Sequence, residues 1–293
     1  MGVDDVLAAH RRAGRRFTAG DVTSFVRDKG SGPAVVCMHG MWGSSFGFAR
    51  LLDQLADRGF RGLAWDLPGF GLADRPAGYD YSWTGLGRFA VAAVDALGLD
   101  RFHLVVHDIG GPVGFELAWA RPHQVASLTI LNTMIDVTGF RPPWAMRPFR
   151  RRGLGEVWLA GLTRPAVRHL LRRQGIRDTA MVSDAELDAY LALMKGDDRA
   201  RGFLAAMRST EPTAAKQARY RAAAGSNRYP VQVIWGQDDP ALPLHTYGEQ
   251  ARAAAGLPSI HALPAKHFLQ QDQAPAIAHL ITQLARSSSH PAA

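Results

Sequence analysis

One aspartate stands where an apolar run gives way to glycines: His103-Leu104-Val105-Val106-His107-Asp108-Ile109-Gly110-Gly111-Pro112-Val113-Gly114. A buried strand that ends in a single polar residue, followed by glycines where a helix starts, is the layout of a sharp turn that lifts one side chain above a sheet. Small residues are needed there because neighbouring backbone comes close. A carboxylate in that position can displace a leaving group from a saturated carbon by in-line attack, leaving an ester on the side chain. Aspartate is also a good helix N-cap, so this segment alone leaves a purely structural role open.

Three further segments point to the same chemistry. His39-Gly40 follows the apolar run ending at Met38, Gly236-Gln237-Asp238-Asp239-Pro240 follows the run ending at Trp235, and His267 follows a last short run. Along the chain the order is nucleophile, acid, histidine, as in a catalytic triad mounted on strand ends. With 11 histidines in the chain, His267 means little by itself; it carries weight because it comes after the right element in the right order. Asp239 is expected to orient it, with Asp238 next door as the alternative.

The elements that must position these residues alternate. Thr23–Arg27 reads as an early strand, with Arg16–Ala19 as its partner. Ala34–Met38, Arg61–Trp65, His103–His107 and Val125–Leu131 read as buried strands. Phe46–Arg58, Trp83–Leu97 and Gly110–Ala120 read as helices between them. Such alternation implies βαβ units and a parallel sheet. From Ile135 to about Ser226 the strand pattern stops, and Leu154–Leu162, Ala166–Arg173, Asp184–Lys195 and Arg199–Arg208 read as helices, the third with Asp184 as N-cap candidate after Ser183. Strands return at Val231–Trp235 and Ser259–Leu263, and Ala274–Ala285 is a closing amphipathic helix before a polar tail, Ser287–Ala293, expected to fray. The expected fold is therefore α/β: a doubly wound, mostly parallel sheet of residues 1–134 and 227–293, interrupted by a helical cap, 135–226.

The chain of 293 residues, 47% hydrophobic and 20% charged, has ample material for one large core. Its one cysteine, Cys37, excludes an intrachain disulfide and a thiol-built zinc site; it sits mid-strand and reads as a core residue. No stretch approaches the ~18 apolar residues of a membrane span, and the start of the chain lacks the pattern of a secretory signal, so a cytoplasmic location is expected. The net charge of +8 is concentrated in residues 139–229, which hold 18 Lys and Arg against 8 Asp and Glu. These basic residues are scattered along helical segments, apart from Arg150-Arg151-Arg152, and aromatics do not interleave with them as in a nucleic-acid platform. They read as a solvated face, and neither nucleic acid nor a membrane is expected as a partner.

The sequence resembles the Asp-nucleophile branch of the α/β-hydrolase superfamily, which includes haloalkane dehalogenases and epoxide hydrolases, over roughly Phe25–Leu131 and Pro230–Leu284. The loop Asp66-Leu67-Pro68-Gly69-Phe70-Gly71-Leu72-Ala73-Asp74-Arg75-Pro76, the run His267-Phe268-Leu269-Gln270-Gln271-Asp272 and Leu131-Asn132-Thr133 are similar to the dehalogenase members. Asp239 is the fourth residue of the family's Gly-x-x-Asp pattern. The resemblance implies that an alkyl ester forms on Asp108, that His267 takes a proton from water, and that this water attacks the ester carbonyl. Asp239 would steady the imidazole, and the backbone N–H groups of Met41 and Ile109 would hold the oxyanion.

Two departures bear on the substrate. Dehalogenases usually carry a halide-binding tryptophan directly after the nucleophile, where this chain has Ile109, and often an asparagine after the His-Gly pair, where it has Met41. Trp42, one residue on, is the candidate substitute donor. Epoxide hydrolases commonly protonate the leaving oxygen with two cap tyrosines; here Tyr190 is one candidate, and the other would fall near Met207-Arg208. The leading expectation is hydrolysis of a carbon–halogen bond, with epoxide hydrolysis as the alternative and a ligand-binding protein of this fold as a further one. The expected pocket lies between cap and core, lined by His39, Met41, Trp42, Ile109, Phe140, Trp144, Leu187 and Tyr190, and takes a small apolar or amphipathic organic substrate. No metal or organic cofactor is implied, and the sequence carries no reading of oligomeric state.

Overall fold

The structure is a computed structural model describing residues 2–288. Of the tail expected to fray, only Ser287 and Ser288 are described, and both continue the last helix; the rest lies outside the described residues.

Eight strands form one sheet: β1 (Arg15–Ala19), β2 (Val22–Lys29), β3 (Ala34–Met38), β4 (Arg61–Trp65), β5 (Phe102–Asp108), β6 (Val125–Thr133), β7 (Val231–Gly236) and β8 (His261–Leu263). Their order is β1-β2-β4-β3-β5-β6-β7-β8. The pairs β1–β2 and β2–β4 are antiparallel, and every pair from β4 to β8 is parallel. The twelve α-helices among the described residues are α1 (Val3–Arg12), α2 (Ala49–Ala56), α3 (Trp83–Ala96), α4 (Gly110–Ala120), α5 (Leu154–Ala160), α6 (Arg164–Leu170), α7 (Asp184–Lys195), α8 (Arg201–Arg208), α9 (Ala214–Ala224), α10 (Glu249–Ala254), α11 (Leu269–Asp272) and α12 (Ala274–Ser288).

The continuous apolar runs are explained by burial on both faces. Side chains alternate along a strand, so Val35, Cys37 and Val105 join the core with Leu51, Leu52 and Leu55 of α2 and Ile277 and Ile281 of α12. Val36, Met38, Leu104 and Val106 face the opposite way, against α3 and α4. The chain leaves β3 for α2 on one face and β5 for α4 on the other. A crevice therefore opens between these neighbouring strands at their C-terminal ends, where open α/β sheets bind ligands.

The elements between β6 and β7 are helical throughout, from a short 3-10 turn at Val137–Gly139 to α9. Their apolar residues, among them Leu159, Val167, Leu187, Phe203, Met207 and Tyr220, merge with the core on the α3–α4 face. Several boundaries differ from expectation for local reasons. Ser183, not Asp184, caps α7, with its hydroxyl accepting from the Glu186 N–H and the Glu186 carboxylate returning to the Ser183 N–H. Arg199 and Ala200 hold φ values of 56° and 63°, so α8 starts only at Arg201. Helices α1, α9 and α10 were not expected from sequence; α9 carries no clear apolar period, whereas α1 buries one face through Val6 and His10.

Candidate active site

Asp108 is the last residue of β5 and holds φ 51°, a left-handed conformation that costs a non-glycine residue energy. The register of β5 against β6 slips between His107 and Asp108, which ends the regular ladder there. The turn closes because glycines let backbone and side chains meet. A Cβ on Gly110 would lie 2.2 Å from the Met38 carbonyl oxygen, and one on Gly111 would lie 1.9 Å from Thr133 Oγ1. That same Thr133 hydroxyl donates to the Asp108 carbonyl oxygen, bracing the turn from β6. Asp108 therefore stands at the turn as a strained residue rather than as the N-cap of α4; the residue before Gly110 is Ile109, and no side chain caps that helix.

The Asp108 carboxylate is nearly buried and accepts a hydrogen bond from the Met41 N–H at 2.8 Å through Oδ2. His267 Nε2 lies 3.9 Å from the same oxygen, beyond hydrogen-bond reach but close enough for strong charge coupling. On its other side the His267 ring places Nδ1 2.8 Å from Asp239 Oδ2. Asp239 is held in turn by the Asn132 side-chain amide, donating to Oδ2 at 2.7 Å, and by the Ala241 and Leu242 N–H groups, donating to Oδ1 at 2.7 and 3.0 Å. Asp238 points elsewhere, into an exposed ion pair with Arg177.

Burial disfavours an imidazolium at His267, yet the Asp239 carboxylate, with Asp108 behind it, outweighs that cost and pushes the pKa up to about 10. Burial likewise works against the Asp108 carboxylate, but the facing His267 and the Met41 N–H hold it below the usual carboxylate range. His107 shows the opposite balance. It is fully buried, burial drives its pKa down to about 4, and its Nε2–H donates to the His267 carbonyl oxygen at 2.8 Å, tying the histidine loop to β5.

Asp108 and His267 open onto a cavity of about 130 Å3, small beside the roughly 300–1,000 Å3 of drug-sized ligand pockets. Met41, Trp42, Ile109 and Phe140, all named from sequence, line this cavity. So do Trp83, Met134, Met146, Leu171, Gln174, Met207, Thr210 and Phe268, which the sequence reading did not single out for the pocket. They come from six separate segments, and nothing in their local pattern marks them.

Four expected pocket residues are elsewhere. His39 is buried beneath the wall, with Nε2 accepting from the Leu67 N–H and Nδ1–H donating to the Gly40 carbonyl oxygen, each at 2.9 Å; it shapes the loop that aims the Met41 N–H. Leu187 is fully buried within the helical segment between β6 and β7 because it lies on the inner face of α7. Tyr190, also on that face, packs against Phe46 and Phe268 and accepts a hydrogen bond from Gln271 Nε2 at 2.8 Å, so its hydroxyl does not face the cavity. Trp144 turns outward, 62% exposed, because its neighbours Pro143, Ala145 and Met146 occupy the wall. The indole N–H of Trp42, by contrast, is spent on a weak acceptor, Met146 Sδ, at 3.2 Å, and both side chains line the cavity.

The sequence model of the α/β hydrolase fold family matches residues 33–274. The chain is 28% identical over 268 residues to haloalkane dehalogenase 2 of Mycobacterium tuberculosis, covering 87% of this chain and 89% of that protein. Among solved structures it superposes on an ancestral haloalkane dehalogenase with a TM-score of 0.76 at 25% identity, covering 94% of this chain and 99% of that one. An epoxide hydrolase of Vigna radiata gives a TM-score of 0.72 at 21% identity over 94% and 97% of the two chains, a likeness of fold alone.

Proposed function

The chain belongs to the α/β-hydrolase fold family, and we propose that within it this protein hydrolyses carbon–halogen bonds through a covalent ester on Asp108. The observation that carries the reading is the placement of one imidazole between two carboxylates, beside a small apolar cavity into which only one of the two opens.

In this reading an alkyl halide enters with its carbon toward Asp108. The carboxylate oxygen attacks, the carbon–halogen bond breaks, and the halide leaves with the bonding pair. The Trp42 indole N–H supplies the leaving group with a donor, exchanging the Met146 thioether for an anion that accepts far more strongly. Ester formation also removes the Asp108 charge, one of the two that hold the His267 proton. The imidazole pKa falls, its proton leaves with the halide, and neutral His267 becomes the base for water. Water adds to the Asp108 ester carbonyl, with the oxyanion facing the Met41 N–H and, as proposed from sequence, that of Ile109. On collapse the leaving alkoxide takes the proton from His267 and departs as the alcohol, and the proton left on the Asp108 carboxyl passes to His267, restoring the carboxylate and the imidazolium. Asp239, anchored by three donors, keeps Nδ1–H engaged throughout. The helical segment 135–226 serves as the cap that keeps bulk water from the ester.

The epoxide alternative requires a proton donor in the cavity. Met207 stands in the wall where a tyrosine would serve, and the Tyr190 hydroxyl is turned away, which favours halide.

The deciding experiment is the intact mass of the His267→Phe variant after incubation with bromoalkanes and, separately, with epoxides. An adduct of the alkyl group alone, mapped to Asp108, is expected. An adduct of the whole epoxide in place of it would give the epoxide reading. No adduct from any compound, together with binding but no turnover by the native protein, would favour a ligand-binding role.

A further inference from the structure

The outer surface of the cap carries a feature that the reaction does not use. Trp144 and Val157 are 62% and 70% exposed, and Leu154 and Trp158 beside them are also open to solvent. Leu154, Val157 and Trp158 are spaced three and four apart on α5 and so share one face of that helix. The Trp144 ring meets Trp158 edge-on at 6.4 Å, which joins the preceding 3-10 segment Trp144–Arg150 to the same patch. Trp119, another exposed indole, lies under the Arg219 guanidinium at 5.5 Å; among the described residues no cation covers the Trp144–Trp158 pair.

Arginines crowd the same stretch of chain. Arg141, Arg147, Arg150, Arg151 and Arg152 flank Trp144 and Leu154 in sequence, and all five are exposed. Among the described residues none of the five has a carboxylate partner, and Glu156, the one acid between Arg141 and Ala160, is taken by Arg208 at 2.9 Å. Indoles and aliphatic side chains bordered by arginines are the combination that settles into the headgroup–acyl boundary of an anionic bilayer. A second copy of this chain would bring the same positive charge to the contact. A nucleic acid would satisfy the arginines but leave Leu154 and Val157 without an apolar partner. A lipid surface satisfies both.

The same segment walls the cavity. Pro142, Pro143, Ala145, Met146 and Arg150 line it, while Trp144 among them points outward. Against the expectation from sequence of no membrane partner, we propose that this face of the helical segment, Trp144, Leu154, Val157 and Trp158 with the flanking arginines, docks on an anionic lipid surface, bringing the cavity wall next to the apolar phase in which water-insoluble substrates collect. The docking stands on the patch itself and does not depend on the carbon–halogen chemistry.

The test is co-sedimentation of the full chain with vesicles of phosphatidylglycerol and phosphatidylcholine, and with vesicles of phosphatidylcholine alone. Binding is expected at least about tenfold tighter to the anionic vesicles and weakened in about 0.5 M salt. Both the pair Val157→Ser with Trp158→Ser and the pair Arg151→Ser with Arg152→Ser should lose most of it, with unchanged circular dichroism. No binding to anionic vesicles overturns the proposal. So does undiminished binding by the Val157→Ser/Trp158→Ser variant, which would mean that the basic surface adsorbs without the patch. Self-association of the native chain that this variant abolishes, in the absence of vesicle binding, assigns the face to a second copy instead.

Discussion

His267 lies between two carboxylates that it meets unequally: 2.8 Å from Nδ1 to Asp239 Oδ2, and 3.9 Å from Nε2 to Asp108 Oδ2. The short contact belongs to the carboxylate anchored by backbone and Asn132 donors, and the long one to the carboxylate facing the cavity. One side of the ring is thus fixed, and the other is free to act.

The charge state of this histidine should be visible in stability. Its pKa is raised from 6.5 to about 10 on folding. A group bound more tightly to its proton when folded contributes stability that is fully present below pH 6.5 and is lost as pH rises through about 10. Urea unfolding of the native chain and of His267→Gln should therefore show a larger fall between pH 7 and pH 10 in the native chain. Parallel curves would mean that the imidazole is not held as a cation.

Asp239 and Asp238 are adjacent in sequence and should be far apart in effect. Asp239→Asn should lower kcat by at least about 10^3-fold, because the amide disturbs the tautomer and removes the charge that stabilises the imidazolium. Asp238→Asn breaks an exposed pair with Arg177 and should stay within about twofold of native. A reversed ranking in steady-state turnover would move the acid to Asp238.

The tightness of the turn is testable by one methyl group. Gly111→Ala places a Cβ 1.9 Å from Thr133 Oγ1, the hydroxyl that braces the Asp108 carbonyl. A loss of about 1–3 kcal/mol in denaturant unfolding is expected, with turnover falling as the turn shifts. Gly139→Ala, with no atom within 4 Å of the new Cβ, is the control and should unfold close to native.

Tyr190 discriminates between the two chemistries. Tyr190→Phe removes an acceptor from Gln271, which keeps its bond to the Gly47 carbonyl oxygen. It should cost about 1 kcal/mol of stability and leave turnover of a bromoalkane within about twofold. A collapse of turnover with stability preserved would make the hydroxyl a proton donor and revive the epoxide reading.

Much of the architecture was legible in the chain because it rests on local rules. Strands β3 to β7 declare themselves as short apolar runs, since a parallel strand covered by helices has no polar face. Gly110, Gly111 and Gly114 mark the turn after Asp108, since a side chain there would strike Met38, Thr133 or Val106. The order Asp108, Asp239, His267 follows from which strand ends they occupy. Helix α9 was missed because its surface is rich in alanine and charge, and α1 because its short apolar patch is set between charges.

What only the tertiary structure decided is where side chains from distant segments converge. His107 and Asn132 look like ordinary strand residues, yet one ties the loop of His267 to the sheet and the other anchors Asp239. Trp144, Leu187 and Tyr190 had the right chemistry for a pocket, but the orientation of the helical segments between β6 and β7 sends the first to solvent and the other two into packing. The exposed indoles of Trp144 and Trp158 came together only when α5 folded back on the segment before it. Periodicity sets which face of a helix is apolar; what that face meets is set by packing with elements far away in sequence, and no local pattern encodes it.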